Sequence, residues 1–289
     1  MNLLLLVLVP ACFALNPVIA RAVIDQFGPA TLSVIRWLLS ALLIALGALW
    51  LGQQSGWRAP ARSLLGISFL GVLGMGFCAY AAYEAARTTQ AANIGLIYGC
   101  TTAFVAAWEV AAGRQSAKGL LLAGIAACLL GVLLTLTKGH PEALRDLSFA
   151  AGDLWAAAGM LVFAFYTIAL RRMPPSLSPL AQFTAMSAAA ALAFLPLAGI
   201  EVAQIGWPVL GPRTLAWLLA LVLLAGIGAY LGYNISVRRN GPVLTAASIC
   251  LTPIYAALQA MVLLGEALAW YHGAALVLVV TGLLAINRA

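Results

Sequence analysis

The fold is decided by a stretch that occurs twice in the sequence, as GFCAYAAY at residues 76–83 and as GIGAYLGY at residues 226–233. A shift of 150 residues superposes the two copies and aligns 22 identical pairs over residues 1–107. About ten identities would arise by chance in a chain so rich in Ala and Leu, so the match indicates an internal repeat. We therefore predict two segments, residues 1–140 and 150–289, within a single membrane domain.

The composition restricts the class of protein. Of the 289 residues, 64% are apolar and only 8% are charged, against roughly a quarter charged in a soluble domain. This excludes a soluble enzyme, a disordered chain and a secreted disulfide scaffold, and it predicts an all-α integral membrane protein in a lipid bilayer. Ten apolar runs have the length of a membrane-spanning helix, at residues 2–20, 30–51, 63–85, 91–112, 119–137, 152–170, 180–200, 214–236, 242–264 and 270–287.

The number of runs in each segment predicts their orientation. Five is odd, so the second segment must enter the membrane from the opposite face, giving ten transmembrane helices as two inverted five-helix repeats. Such repeats are typical of secondary transporters that work by alternating access. If the N-terminus is cytoplasmic, nine of the 15 basic residues lie on the cytoplasmic side. This bias predicts a multi-pass protein of the inner membrane with both termini cytoplasmic.

Two tyrosine pairs recur in the repeat and are candidates for lining the transport pathway. Tyr80 and Tyr83 are three residues apart, so we expect them on one helix face in the outer half of the third helix. Tyr230 and Tyr233 occupy the matching positions of the eighth helix, in its inner half. We expect the pairs to line and help close the two mouths of a central pathway. The alternative is that they are interfacial or packing residues.

Other candidate substrate-binding residues are neutral hydrogen-bonding and aromatic groups near the middle of the membrane. Such groups suit a small amphipathic solute with an apolar body and polar ends. The alternative for the Ser and Thr members is hydrogen bonding between helices, which contributes about 0.6 kcal/mol for each bond. These candidates are Asn16, Tyr98, Thr102, Phe163, Tyr166, Ser248 and Thr252.

Ionisable residues deep in the membrane are scarce. Arg36 lies about 9 Å inside the outer end of the second helix, at 1.5 Å per residue. Its guanidinium either extends back towards the membrane surface or attracts a carboxylate of the substrate. No carboxylate stands out as a proton carrier at mid-membrane depth.

The sequence predicts no cofactor, no metal and no nucleic-acid partner. His140 and His272 are too far apart to suggest a metal site, and the five cysteines show no CxxC spacing. The net charge of +7 comes from residues scattered singly or in pairs, which is not the pattern of a nucleic-acid interface. HExxH, GxSxG and paired aspartates are absent, so we do not expect an enzyme. We expect a monomer or a homodimer.

An ordered set of short motifs runs along the chain. These motifs are Arg36 within VIRWLL (34–39), Tyr166 with Arg171-Arg172, Leu251-Thr252-Pro253, His272-Gly273-Ala274-Ala275 and Thr281-Gly282-Leu283. Together they resemble the EamA family of the drug/metabolite transporter superfamily over nearly the whole chain. The Gly-Glu pair common in that family is replaced by Ala112-Gly113-Arg114. The small multidrug exporters of the superfamily use a Glu in their first helix, and this chain has no acid there.

The resemblance implies export or exchange of small metabolites, often amino acids, through a cavity lined by helices one, three, four, six, eight and nine. Together with the polar and aromatic candidates, it predicts a secondary transporter of small amphipathic metabolites, with neutral or aromatic amino acids as the first expectation. A membrane channel and a non-transporting membrane receptor are the alternatives.

Overall fold

The computed structural model describes residues 2–23, 26–53, 55–89, 91–116, 118–140, 142, 150–208, 210–264 and 268–289. Within these ranges the chain is helical and contains no strand. The helices found there are α1 (Leu3–Val23), α2 (Pro29–Trp50), α3 (Ala61–Thr88), α4 (Ala91–Gly99 and Thr101–Ala111), α5 (Gly119–Leu136), α6 (Ala151–Arg172), α7 (Pro179–Ile205), α8 (Pro212–Asn240), α9 (Pro242–Ser248, Ile249–Leu251 and Thr252–Leu264) and α10 (Trp270–Arg288).

The helices agree with the apolar runs of the sequence. In the described part of the chain, nine are long and apolar enough to cross a membrane, and α1 contributes a shorter apolar stretch, Leu3–Asn16. The prediction of an all-α membrane protein is confirmed at this level. Each predicted run coincides with one helix, and α7 and α8 extend furthest beyond their predicted ends.

Prolines and glycines explain where several helices begin and end. The helices α2, α7, α8 and α9 each begin with proline at their first position, where the missing N–H costs no intrahelical hydrogen bond. Gly206 and Gly241 follow α7 and α8 with positive φ angles of 91° and 86°, a conformation that glycine adopts without strain. The residues between the end of each apolar run and its glycine remain helical. For this reason α7 and α8 are longer than their apolar runs.

Four helices contain irregular backbone that the apolar pattern did not predict. A π-helical segment interrupts α3 at Val72–Phe77, and another interrupts α8 at Leu221–Leu231. A turn at Cys100 divides α4, and a 3₁₀ segment at Ile249–Leu251 divides α9. The two members of each pair overlap after the same shift of 150 residues. The repeat thus extends from residue identities to local distortions of the backbone.

The helices of the first segment pack mainly against helices of the second. Extensive contacts join α2 to α7, α5 to α10, α3 to α6 and α1 to α8. At the α5–α10 contact, a Cβ atom on Gly124 would lie 2.8 Å from the carbonyl oxygen of Gly282. Only the absence of side chains at these two glycines allows the helices to approach so closely.

Hydrogen bonds tie the helices together at both ends of the bundle. At the end that contains Asn2, its backbone N–H donates to Asn240 of α8 at 2.8 Å, and Arg238 donates to Gln182 of α7 at 2.8 Å. We call this the N-terminal end. At the opposite end, Thr31 of α2 donates its backbone N–H to Glu201 of α7 at 2.7 Å.

The buried apolar residues form two large clusters. The larger one joins α1, α2, α3, α6, α7 and α8 and contains most of the buried aromatic side chains. The smaller one joins α4, α5, α9 and α10 with parts of α1 and α6. The larger cluster contains the candidate residues Tyr83, Phe163, Tyr166, Tyr230 and Tyr233, whereas Tyr80 packs against a small third cluster.

Candidate functional site

Arg36 is the centre of a buried polar cluster that joins four helices. Its Nη1 donates to Oδ1 of Asn16 in α1 and to the hydroxyl of Tyr83 in α3, both at 3.0 Å. The Tyr83 hydroxyl in turn donates to the same Asn16 oxygen at 3.3 Å. On the other side, Arg36 Nη2 donates to the backbone carbonyl of Ala225 in α8. A guanidinium bonded in this way faces the protein interior. Arg36 therefore does not extend towards the membrane surface, which was one of the two alternatives from the sequence.

The π-helical segment of α8 supplies one of these acceptors. Ala225 lies inside Leu221–Leu231, and a π segment alters the regular hydrogen bonding of the helix, often at a functional site. A Cβ atom on the neighbouring Gly226 would lie 2.8 Å from the Ser40 hydroxyl and 3.7 Å from Cγ of Arg36. The small residue and the irregular backbone together let α2 approach α8 at the level of Arg36.

A second buried cluster contains no charged group. The Tyr166 hydroxyl of α6 donates to Oδ1 of Asn234 in α8 at 2.5 Å, and Met186 Sδ of α7 lies 4.0 Å from that hydroxyl. Beside them, the hydroxyl groups of Thr167 and Tyr233 are 2.7 Å apart. These groups connect α6, α7 and α8.

The two clusters are built from matching positions of the repeat. A shift of 150 residues takes Asn16 to Tyr166, Arg36 to Met186 and Tyr83 to Tyr233. The same helix positions thus carry the polar groups in both segments, but only the first segment places a cation there. We call them the Arg36 cluster and the Tyr166 cluster.

Aromatic rings fill the space between the two clusters. Phe13 of α1 lies 5.1 Å from Tyr230 and 6.2 Å from Phe163, measured between ring centroids. Phe163 and Tyr233 are 5.0 Å apart, and Trp37 meets Tyr230 edge to face at 4.9 Å. The predicted residues Phe163, Tyr230 and Tyr233 therefore meet in one aromatic block.

Tyr80 lies apart from this block. Its ring packs against Trp155 of α6 at 5.6 Å and Phe194 of α7 at 5.5 Å, and its hydroxyl donates to Glu84 at 3.3 Å. Tyr83 instead points towards α1 and α2. The structure therefore brings Tyr83, Tyr230 and Tyr233 near one centre and places Tyr80 at a different helix interface.

The predicted residues of α4 and α9 occupy other positions again. The Tyr98 hydroxyl has no hydrogen-bond partner among the described residues. It lies so close to Gly159 that a Cβ atom added there would be only 2.3 Å from it. The Thr102 hydroxyl lies 3.8 Å from Cys250 Sγ. Ser248 donates to the Thr245 carbonyl of its own helix at 2.7 Å. The Thr252 hydroxyl is also without a partner in the described part of the chain.

A cavity of about 690 Å³ lies beside the clusters and towards the N-terminal end. Its wall is formed by α3, α4 and α6, and it contains none of the predicted site residues. On α6, Phe163 and Tyr166 are buried, whereas Leu161 and Phe165, which line the cavity, are exposed. The cavity is therefore on the opposite face of α6 from the aromatic block.

The model of the EamA-like transporter family matches residues 1–137 and 150–288. The chain belongs to this family. The EamA-like protein is thus a membrane transporter of the drug/metabolite type with a two-repeat architecture, as the sequence motifs suggested, and members of this family are transporters and not enzymes.

Comparison with solved structures supports the fold of the EamA-like protein. One solved structure, whose title is "Crystal structure of protein", superposes on this chain with a TM-score of 0.75 at 18% sequence identity. The match covers 98% of this chain and 96% of the other. At that identity the likeness concerns the fold alone. No curated protein matches the chain.

Among the residues that the sequence analysis did not single out are Met186 and Asn234 of the Tyr166 cluster and Trp37 of the aromatic block. Met186 contacts Tyr166, Asn234 contacts both Tyr166 and Met186, and Trp37 contacts Tyr230. The repeat could have identified Met186 and Asn234, because they match the polar residues Arg36 and Glu84 after the shift of 150 residues. Positions that match a polar residue of the other copy are candidates even where the residue type differs.

Proposed function

We propose that the protein is an exporter or exchanger of small amphipathic metabolites, with neutral or aromatic amino acids as the first candidates. The observation that carries this proposal is the meeting of the Arg36 and Tyr166 clusters across one aromatic block at the interface of the two repeats. Hydrogen-bonding groups at two sides of an apolar interior suit a solute that has polar ends and an apolar body. The predicted residues that belong to this arrangement are Asn16, Tyr83, Phe163, Tyr166, Tyr230 and Tyr233.

The same proposal includes inverted topology, with residues 1–140 and 150–289 as the repeats and both termini in the cytoplasm. It is supported by the hydrogen bonds at the ends of the bundle. Asn2 at the start of α1 meets Asn240 at the end of α8, and Glu201 at the end of α7 meets Thr31 at the start of α2. Contacts of this kind are expected when matching helices run in opposite directions.

Alternating access requires the contacts at the two ends to break in turn. At the N-terminal end, Arg172 and Glu109 form an ion pair at 3.0 Å between α6 and α4. At the opposite end, Thr89, which directly follows α3, donates to Asp153 of α6 at 2.5 Å. Both contacts join one repeat to the other. We propose that solute binding in the aromatic block favours a state in which both ends stay closed.

Counterflow in proteoliposomes tests the proposed function. Vesicles loaded with an unlabelled amino acid should accumulate the labelled one, and Tyr230→Ala should reduce the rate while leaving the amount of folded protein unchanged. Leu46→Ala, at a side chain exposed on α2, is the matched control and should transport normally. Failure with all amino acids refutes the proposed cargo, and failure with a broad metabolite panel refutes transport. Single-channel currents would instead favour a channel.

Reporter fusions test the topology. A fluorescent protein placed after Ala289 should fluoresce, because it folds in the cytoplasm, whereas a periplasmic phosphatase inserted in the 139–150 connection should be active. The reverse pattern would refute cytoplasmic termini, and activity of the same reporter at both places would refute an odd number of spans between them.

A further inference from the structure

Arg36 is a buried cation whose hydrogen-bond partners in the described part of the chain are all neutral. The residue is only 1% exposed, and its acceptors are an amide oxygen, a phenol oxygen and a backbone carbonyl. Removing a guanidinium from water is strongly unfavourable unless an opposite charge compensates it. Neutral acceptors satisfy some of its five N–H groups but leave its charge uncompensated.

No described carboxylate pairs with Arg36. The carboxylates that make contacts in the described ranges do so elsewhere, Glu84 with Arg87, Glu109 with Arg172, Asp153 with Thr89 and Glu201 with Thr31. In addition, Nε of Arg36 is buried and has no hydrogen-bond partner among the described residues. Within the described ranges, the guanidinium therefore has an unused donor as well as an unpaired charge.

The surroundings of Arg36 combine this charge with aromatic surface. The guanidinium carbon lies 4.4 Å from the ring centroid of Trp37 and 5.3 Å from that of Tyr230. Phe13 packs against the Tyr230 ring, with the two ring centroids 5.1 Å apart. A ligand with an anionic oxygen at Nε would find apolar ring surface for the rest of its body within a few ångströms.

We propose that Arg36 binds a carboxylate group of the transported solute through Nε, so that the substrates are organic carboxylates with an apolar or aromatic body. This inference rests on the proposed function and narrows it, because it predicts that the carboxylate, and not the amino group, is indispensable. The three neutral partners of Arg36 hold the guanidinium in place while its charge is compensated by the ligand.

A matched ligand series tests the proposal on the wild-type protein. Phenylalanine, 3-phenylpropanoate, phenylalanine amide and phenethylamine share the same ring and differ in the presence of the carboxylate and the amino group. The two carboxylates should compete in counterflow and raise the thermal stability of the detergent-solubilised protein. The amide and the amine should compete roughly ten- to a hundredfold more weakly, as expected for loss of a charge-assisted hydrogen bond. Equal competition by all four compounds would overturn the proposal.

Variants test whether Arg36 is the group responsible. Arg36→Gln should lose the preference for carboxylates, and Arg36→Lys should keep part of it because the charge remains. Arg58→Gln, which removes a charge from an exposed position, is the control and should keep the full preference. If folded Arg36→Gln still discriminates the acid from the amide, Arg36 is not the anion site. If Arg36→Gln does not fold, the ligand series on the wild type decides.

The two proposals fail in different ways. If no amino acid shows counterflow, the proposed amino-acid transport fails, and the thermal-shift series with the four ligands alone judges carboxylate binding. If amino acids are transported but their amides and amines are transported equally well, the proposed function stands and carboxylate recognition by Arg36 is refuted.

Discussion

Gly71 sets the distance between α3 and α7, so Gly71→Ala should destabilise the protein. A Cβ atom at residue 71 would lie 2.4 Å from the carbonyl oxygen of Met186 and 2.5 Å from its Cα. Ordinary contact begins near 3.4 Å, so the helices must separate by about 1 Å in a closely packed interior. Backbone atoms cannot rotate away, and overpacking costs about 1–3 kcal/mol, partly offset by the better helix propensity of Ala, about 0.5–1 kcal/mol. We expect a net loss of about 1–2 kcal/mol.

Unfolding by SDS in mixed micelles, followed by loss of helicity, measures this difference. Gly47→Ala in α2 is the matched control, since no neighbouring atom lies within 4 Å of its added methyl group. That variant should be unchanged or slightly more stable. Equal unfolding free energies for the two variants would refute the close approach of α3 and α7 at Gly71.

Three further predictions concern polar contacts between helices. Glu201→Gln should lower the free energy of unfolding by about 1 kcal/mol, because the carboxylate accepts two N–H bonds at the start of α2; an unchanged SDS midpoint would contradict this. A double-mutant cycle of Arg172→Gln and Glu109→Gln should give a coupling of about 0.5–1 kcal/mol that decreases in high salt, and a salt-independent value would argue against an ion pair. Tyr166→Phe should lower stability by about 1 kcal/mol, since it leaves the Asn234 amide oxygen without its 2.5 Å donor. Stability equal to that of the wild type would show that this hydrogen bond contributes nothing.

The helices could be predicted because lipid imposes a simple rule on length and polarity. The same rule does not predict where a helix ends, because it takes no account of Gly206 and Gly241, which follow the last residues of α7 and α8. Nor does it predict the π segment at Leu221–Leu231, which contains the Ala225 carbonyl that accepts a hydrogen bond from Arg36. A change in the hydrogen-bond pattern of a helix does not alter the pattern of apolar residues in the sequence.

Part of the candidate site could be predicted because both copies of the repeat carry the same residue there. Tyr83 and Tyr233 have the same identity in both copies, and both lie in the central clusters. Tyr80 satisfied the same criterion but contacts Trp155. Residues three apart on a helix point about 60° from each other, which is enough to address different neighbours. Helical spacing identifies a face of α3 but not which helix lies against each part of it.

The pairing of Arg36 with Met186 across the repeat has a consequence for the resting protein. With the inverted topology and alternating access proposed above, two identical halves would give an inward-facing and an outward-facing form of equal energy. A cation on one side and a thioether on the other would remove this degeneracy, and a gap of about 1.4 kcal/mol already yields a tenfold excess of one form. In the same proposal, the positive charge of Arg36 would make this equilibrium depend on membrane voltage if the charge moves along the field. In this way, a duplicated chain would favour one of its two forms over the other.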